Sequence, residues 1–195
     1  MAWHHIIPFS LLRDVWNRMV DQLVATELGE APVAVRQYLS LADRNLLGLD
    51  RLVDRIRAEN PKRRASHNVL PPLDVAEALE LQTAAMWPVW NVVEGPRRRS
   101  DDPQNRYFDR FTAGLTNEEA GRMRAIEGLF DTFQDFAGAG PAPGAIALRT
   151  LSQELTAVRP FLLCAGPIRY RQEMWVEDGA GVWRKRRDGE RFTGR

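Results

Sequence analysis

Apolar side chains recurring at helical spacing directly after a proline and a serine do most to limit the folds open to this chain. Beyond Pro8 and Ser10, the residues Leu11, Leu12, Val15, Trp16, Met19, Val20, Leu23 and Val24 share one helix face, and such a stripe must be buried against other elements. A second helical region from about Pro32 to Arg57 carries Val35, Tyr38, Leu39, Leu46, Leu49, Leu52, Val53 and Ile56, with a break near Gly48. Asp74 with Glu77, and Thr116 with Glu119, have the spacing of capping boxes. The first opens a helix through Met86, and the second a long helix burying Met123, Ile126, Leu129, Phe130, Phe133 and Phe136. The chain therefore reads as mainly α with a small β element and a C-terminal β-hairpin.

The low-complexity run from Ala137 to Ala145 is built from residues too small to pack a core of their own. It divides a mainly helical body, residues 1–136, from an appendage, residues 146–195, with 137–145 as the linker. The appendage begins with a helix to about Val158. It ends in a hairpin of Ile168 to Glu177, a turn from Asp178 to Gly181, and Val182 to Arg187, in which Ile168, Tyr170 and Trp183 alternate with arginines.

With 195 residues, 44% of them hydrophobic, and six tryptophans, the chain can bury one good core. Basic and acidic residues nearly balance, 27 against 26, which excludes a global attraction to nucleic acid or anionic lipid and leaves only local patches to supply one. The single cysteine, Cys164, lies in the apolar stretch from Phe161 to Ala165, which excludes a thiolate zinc cluster and points to a buried thiol. No stretch has the pattern of a signal peptide or the apolar length of a membrane span. The expected location is the cytoplasm, with no membrane insertion and with any delivery to a target cell by a signal-peptide-independent route.

Two of the three histidines stand side by side in Trp3-His4-His5-Ile6-Ile7-Pro8. Imidazole can both accept a proton and ligate a cation near neutral pH, so two at one strand end can divide the work of metal ligand and general base. Residues 87 to 115 have little periodicity yet are dense in Trp, Asn, Glu, Arg and Asp, the kind of irregular stretch that carries function. Within it, Val92-Val93 forms a short strand that pairs with Trp3 to Ile7, which would set Asn91 and Glu94 beside the histidines.

A strand ending in His-His-Ile-Ile-Pro, with a later asparagine and then an acidic or histidine ligand, resembles the His-Me finger or HNH nucleases, and in particular the HHIIP-type domains of bacterial polymorphic toxins, which implies a ββ-metal site within the helical body. The resemblance implies one divalent cation, Mg2+ first and Mn2+ or Zn2+ otherwise, with His4 holding the metal and His5 activating water against a phosphodiester. It implies an asparagine that orients the catalytic imidazole. Asn91 is the first candidate, because its carbonyl can fix the reactive tautomer, and Asn68 is the second. No histidine comes after Asn91, so the late ligand would be a carboxylate from Asp101, Asp102 or Asp109. The function implied by the resemblance is that of a metal-dependent endonuclease cutting DNA or RNA, an antibacterial effector with a cognate immunity protein as partner.

Two basic clusters suit a phosphate-bearing partner: Arg97-Arg98-Arg99, and Arg184-Lys185-Arg186-Arg187. Guanidinium groups there would grip the backbone without reading sequence. Each feature has a plainer alternative. Asp101-Asp102-Pro103 is equally a turn initiator, Trp87 and Trp90 suit core or rim packing, and basic runs are often solvated surface. The rival from another class is a non-catalytic helical binding or assembly protein.

Overall fold

The computed structural model describes residues 1–25, 30–42, 85, 87–103, 107–139, 144–163 and 165–191. In chain order these form β1 (Ala2–His5), α1 (Phe9–Ala25), α2 (Glu30–Ala42), β2 (Val92–Gly95), α3 (Asn117–Gly138), α4 (Ala145–Leu162), β3 (Trp175–Gly179) and β4 (Val182–Lys185), with single 3-10 turns at Val89–Asn91 and Gln172–Met174. The mainly helical expectation holds. The readings of the break near Gly48, the helix from Asp74, His67, Asn68 and Cys164 fall outside the described residues.

Each helix forms where its sequence asks for it. Pro8 supplies the carbonyl that accepts the first amides of α1, from Leu11 and Leu12, while its own missing N–H is no loss at a helix start. Leu12, Val15, Met19 and Leu23 are then fully buried. Thr116 caps α3 with the reciprocal box: its hydroxyl accepts from the Glu119 amide at 3.2 Å, and the Glu119 carboxylate accepts from the Thr116 amide at 2.8 Å. Along α3, Met123, Ile126, Leu129, Phe133 and Phe136 turn inward, with Phe130 packed at the margin.

The segment after the linker is no appendage. In α4, Leu148, Leu151, Leu155, Val158 and Leu162 recur at helical spacing and join the same apolar core as α1, α2 and α3. The expected linker is shorter too, since α3 runs to Gly138 and α4 starts at Ala145. The small residues there join two helices of one core, because the apolar face of α4 can be buried only against its neighbours.

Strand β1 pairs antiparallel with β2 in the register Ala2 to Gly95, Trp3 to Glu94, His4 to Val93 and His5 to Val92. The two segments are expected to pair, but over Trp3 to Ile7, whereas the strand ends at His5. Ile168, expected in the hairpin, instead bonds alongside β2: its amide donates to Val92 at 3.0 Å and its carbonyl accepts from Glu94 at 2.8 Å. The hairpin proper is β3 with β4. Its turn holds Gly179, Ala180 and Gly181 all at positive φ, a left-handed corner that suits two glycines. Strand β4 is joined in turn to the basic segment before the site, through Trp183 to Arg98 at 2.9 Å and Ser100 to Trp183 at 2.8 Å.

Gly95 is where the two β elements meet most closely. A Cβ there would lie 2.4 Å from Trp175 Cζ2, 2.8 Å from Trp175 Cη2 and 3.2 Å from His4 Cδ2. Trp175 is itself buried, at 2% exposure, so neither side can yield. Gly95→Ala is expected to cost about 1–3 kcal/mol by overpacking, read as a lowered urea midpoint with an unchanged m-value.

Candidate functional site

The corner between β1 and α1 is pinned by Asn91, whose side chain is fully buried. Its Oδ1 accepts from the Ile7 amide at 2.7 Å and its Nδ2 donates to the Ile7 carbonyl at 3.0 Å. Its own carbonyl accepts from the Ile6 amide at 2.8 Å, and Ile6 O accepts from the Asp109 amide at 2.8 Å. The side-chain amide thus stands in for a neighbouring strand where Pro8 ends the pairing, satisfying main-chain groups that burial would otherwise leave costly. The expectation that Asn91 fixes the imidazole tautomer is corrected: both ends of its amide are directed to the Ile7 main chain. Asn91 is a positioning residue for the corner that carries the histidines.

Strand alternation turns the two imidazoles to opposite sides of β1. His4 lies over Trp175, ring centroids 6.3 Å apart, with Nε2 at 2.9 Å from the Pro96 carbonyl. A carbonyl only accepts, so that nitrogen carries the proton and offers no lone pair to a cation. His5 lies 4.2 Å from the Trp87 ring and 6.0 Å from that of Phe9. A cavity of about 230 Å³ opens beside the strand, bordered by Trp3, His4, His5, Trp87, Asp102 and Tyr107, with Asp109 in its wall. Its rim is aromatic and open: Trp3 is 48% exposed, Trp87 45% and Tyr107 71%. Trp90, by contrast, is in the core. Glu94 is not among the residues bordering this cavity, and its Oε2 accepts from the Tyr170 amide at 3.3 Å.

Two of the expected metal carboxylates are engaged by cations of the protein itself. Asp109, fully buried, takes a two-pronged pair from Arg99, Nη1 to Oδ2 at 2.7 Å and Nη2 to Oδ1 at 3.0 Å, and also binds the Lys185 ammonium. Asp101 accepts from Arg99 Nε at 3.2 Å and from the Lys185 amide at 2.9 Å. A site already neutralised by two cations does not attract a third. Among the described residues no group of three or more His, Cys, Asp or Glu could hold a metal ion, and His4 Nε2, Asp101 and Asp109 each have partners within the protein. Asp102 is exposed at the rim and borders the cavity together with His5.

The basic clusters divide in the same way. The Arg99 side chain is wholly buried, its guanidinium 5.0 Å from the Trp175 ring and 5.7 Å from that of Phe111. Burial pulls its pKa down, but the hydrogen bonds and charge of Asp109 outweigh that and hold it above the usual value. It is corrected from a phosphate grip to the centre of a buried ionic cluster. Lys185 belongs to that cluster. Arg184 is bound at both prongs by Glu190, at 2.9 and 2.6 Å. The Arg184 bond, aided by the Arg187 amide, draws the Glu190 carboxyl down to about 2. Arg186 reaches the Glu190 carbonyl at 3.4 Å, so most of the C-terminal run ties down its own turn. Arg97 and Arg98 remain exposed.

The ring of exposed aromatics around His5 and the ionic cluster behind it were not foreseen. An exposed position two residues before His5 on the same strand face was the one local signal for Trp3. Nothing local marked Lys185 as a partner of Asp109, 76 residues away. No family model matches the chain, and neither a curated protein nor a solved structure does.

Proposed function

We propose that this chain cleaves phosphodiester bonds of nucleic acid in the cavity at the β1–α1 corner, with His5 as general base. The observation that carries the reading is one 230 Å³ cavity bordered by His5, Asp102 and three exposed aromatic rings. Its support is the chemistry of imidazole, a corner held rigid by Asn91, and the resemblance of His-His-Ile-Ile-Pro to HHIIP-type toxin nucleases. RNA asks least of such a site. Its own 2′-hydroxyl is already placed next to the phosphorus: as His5 takes that proton, the 2′-oxygen bonds to phosphorus, the P–O5′ bond breaks, and a proton from water or from the His5 imidazolium goes to the departing 5′-oxygen. DNA would need an activated water, the task for which a divalent cation serves best. On the same resemblance the protein is an effector acting on a target cell, with an immunity protein as its natural partner. Among the described residues no helix is long and apolar enough to cross a membrane.

The test is incubation of the purified protein with single-stranded RNA and with plasmid DNA, in Mg2+, Mn2+ or Zn2+ and with chelator. Cleavage of RNA that survives chelator is the expected result. Cleavage only with a cation would restore a metal centre at this cavity, and no cleavage of either substrate under any condition would favour the second reading. That reading, a non-catalytic binding protein, is favoured by the engagement of Asp101 and Asp109 in ion pairs.

A further inference from the structure

A second cavity, of about 460 Å³, lies between the end of β2 and the C-terminal hairpin, bordered by Pro96, Arg97, Arg98, Tyr170 and Trp183. Its size is within the range of small-ligand sites. Its chemistry is specific. Arg97 and Arg98 are exposed, the first donating from Nε to the Met1 carbonyl at 3.2 Å, and among the described residues neither forms an ion pair. That sets them apart from Arg99, Arg184 and Lys185, which all do. Tyr170 and Trp183 are half-buried, and both border the cavity. Two of the nearby carboxylates are engaged, Glu94 by the Tyr170 amide and Asp178 by the Ser100 hydroxyl at 2.7 Å, while burial, and then the charge of nearby Glu173, raise the Tyr170 hydroxyl pKa. The wall is also firmly held, since the main chain of Trp183 is bonded on both sides, to Arg98 and Ser100.

Guanidinium groups outside any ion pair, set beside aromatic rings, recognise a ligand that carries both a phosphate and a flat heterocycle. We propose that this cavity is a nucleotide subsite, in which Arg97 and Arg98 take the phosphate and Trp183 and Tyr170 stack the base. The proposal deepens the nucleic-acid reading above and rests on it for the substrate class. Met1 borders this cavity and Trp3 the histidine cavity, two residues apart, so a strand held here lies next to the proposed cleavage site. Only an unpaired base can enter, because a base inside a duplex presents no free face.

The experiment is titration of the full chain with adenosine 5′-monophosphate, adenosine and inorganic phosphate, monitored by calorimetry and by tryptophan fluorescence. A short single-stranded oligonucleotide and its duplex are then used as competitors. The nucleotide should bind more tightly than either fragment, and the single strand should displace it better than the duplex. The double variant R97Q/R98Q, altering two exposed side chains, should weaken nucleotide binding by at least about tenfold, as expected for lost charge-assisted hydrogen bonds. Trp183→Phe should remove most of the fluorescence change while keeping a stacking ring. Absence of nucleotide binding, binding no tighter than inorganic phosphate, or binding untouched by R97Q/R98Q would overturn the subsite. His5→Ala should leave nucleotide affinity unchanged, so a failed subsite and a failed cleavage reading give different results.

Discussion

Replacing Asp109 by alanine should lower the stability of the protein by about 3–5 kcal/mol, the usual consequence of removing one partner of a buried charge pair. The Arg99 and Asp109 side chains are both wholly shielded from solvent. Without the carboxylate, the guanidinium stays between the rings of Trp175 and Phe111 with only the longer contact to Asp101 at 3.2 Å to offset its burial. Lys185 can carry its ammonium out to water along its flexible stem, whereas Arg99 has no such exit. Against a total stability of roughly 5–15 kcal/mol, the loss is large, and the melting temperature should fall by roughly 6–20 °C. Thermal and urea unfolding measure it. The double variant R99M/D109L, which removes both charges and keeps apolar volume, should be more stable than Asp109→Ala alone. Equal stability of Asp109→Ala and the parent chain would show that the cluster is not buried as described.

His5→Ala should reduce nucleic-acid cleavage by about 10²–10⁴-fold, the range contributed by a positioned general base. The fold should survive, because the imidazole sits at the edge of the core against Phe9 and the exposed Trp87, and because Asn91 holds the corner through main-chain bonds that do not involve it. An unchanged circular dichroism spectrum and melting temperature would confirm that. His4→Ala should have the smaller effect on rate, since His4 is hydrogen-bonded to Pro96. A loss of cleavage at His4 with none at His5 would reverse the assignment of the two rings.

Local rules carried the sequence reading where the information was local. The periodicity from Leu11 to Leu23, the reciprocal bonding of Thr116 with Glu119, and the glycine-rich corner after Asp178 each formed as expected. That the segment beginning at Trp3 pairs with Val92-Val93 was legible because both are short apolar runs beside polar, chemistry-bearing residues, whereas the antiparallel sense and the register come only from the fold. Burial of charge was not legible. An aspartate in a polar, arginine-rich stretch looks the same whether its oxygens will meet Mg2+, a guanidinium or water, and only the arrival of β4 beside residues 98–100 decides it. The same holds for Trp87 and Trp90, three residues apart, one exposed and the other buried. The run of small residues before α4 misled for a related reason: linker composition reports local stiffness, while the shared core is set by the apolar face of the next helix.

The most direct test of a catalytic imidazole is chemical rescue of His5→Gly, which leaves a space of imidazole size in the cavity bordered by Trp87 and Asp102. Added imidazole should restore a measurable part of RNA cleavage in that variant and leave the parent chain's rate unchanged. Restoration absent at every imidazole concentration, or cleavage by His5→Gly at the parent rate without it, would contradict a general base at this position.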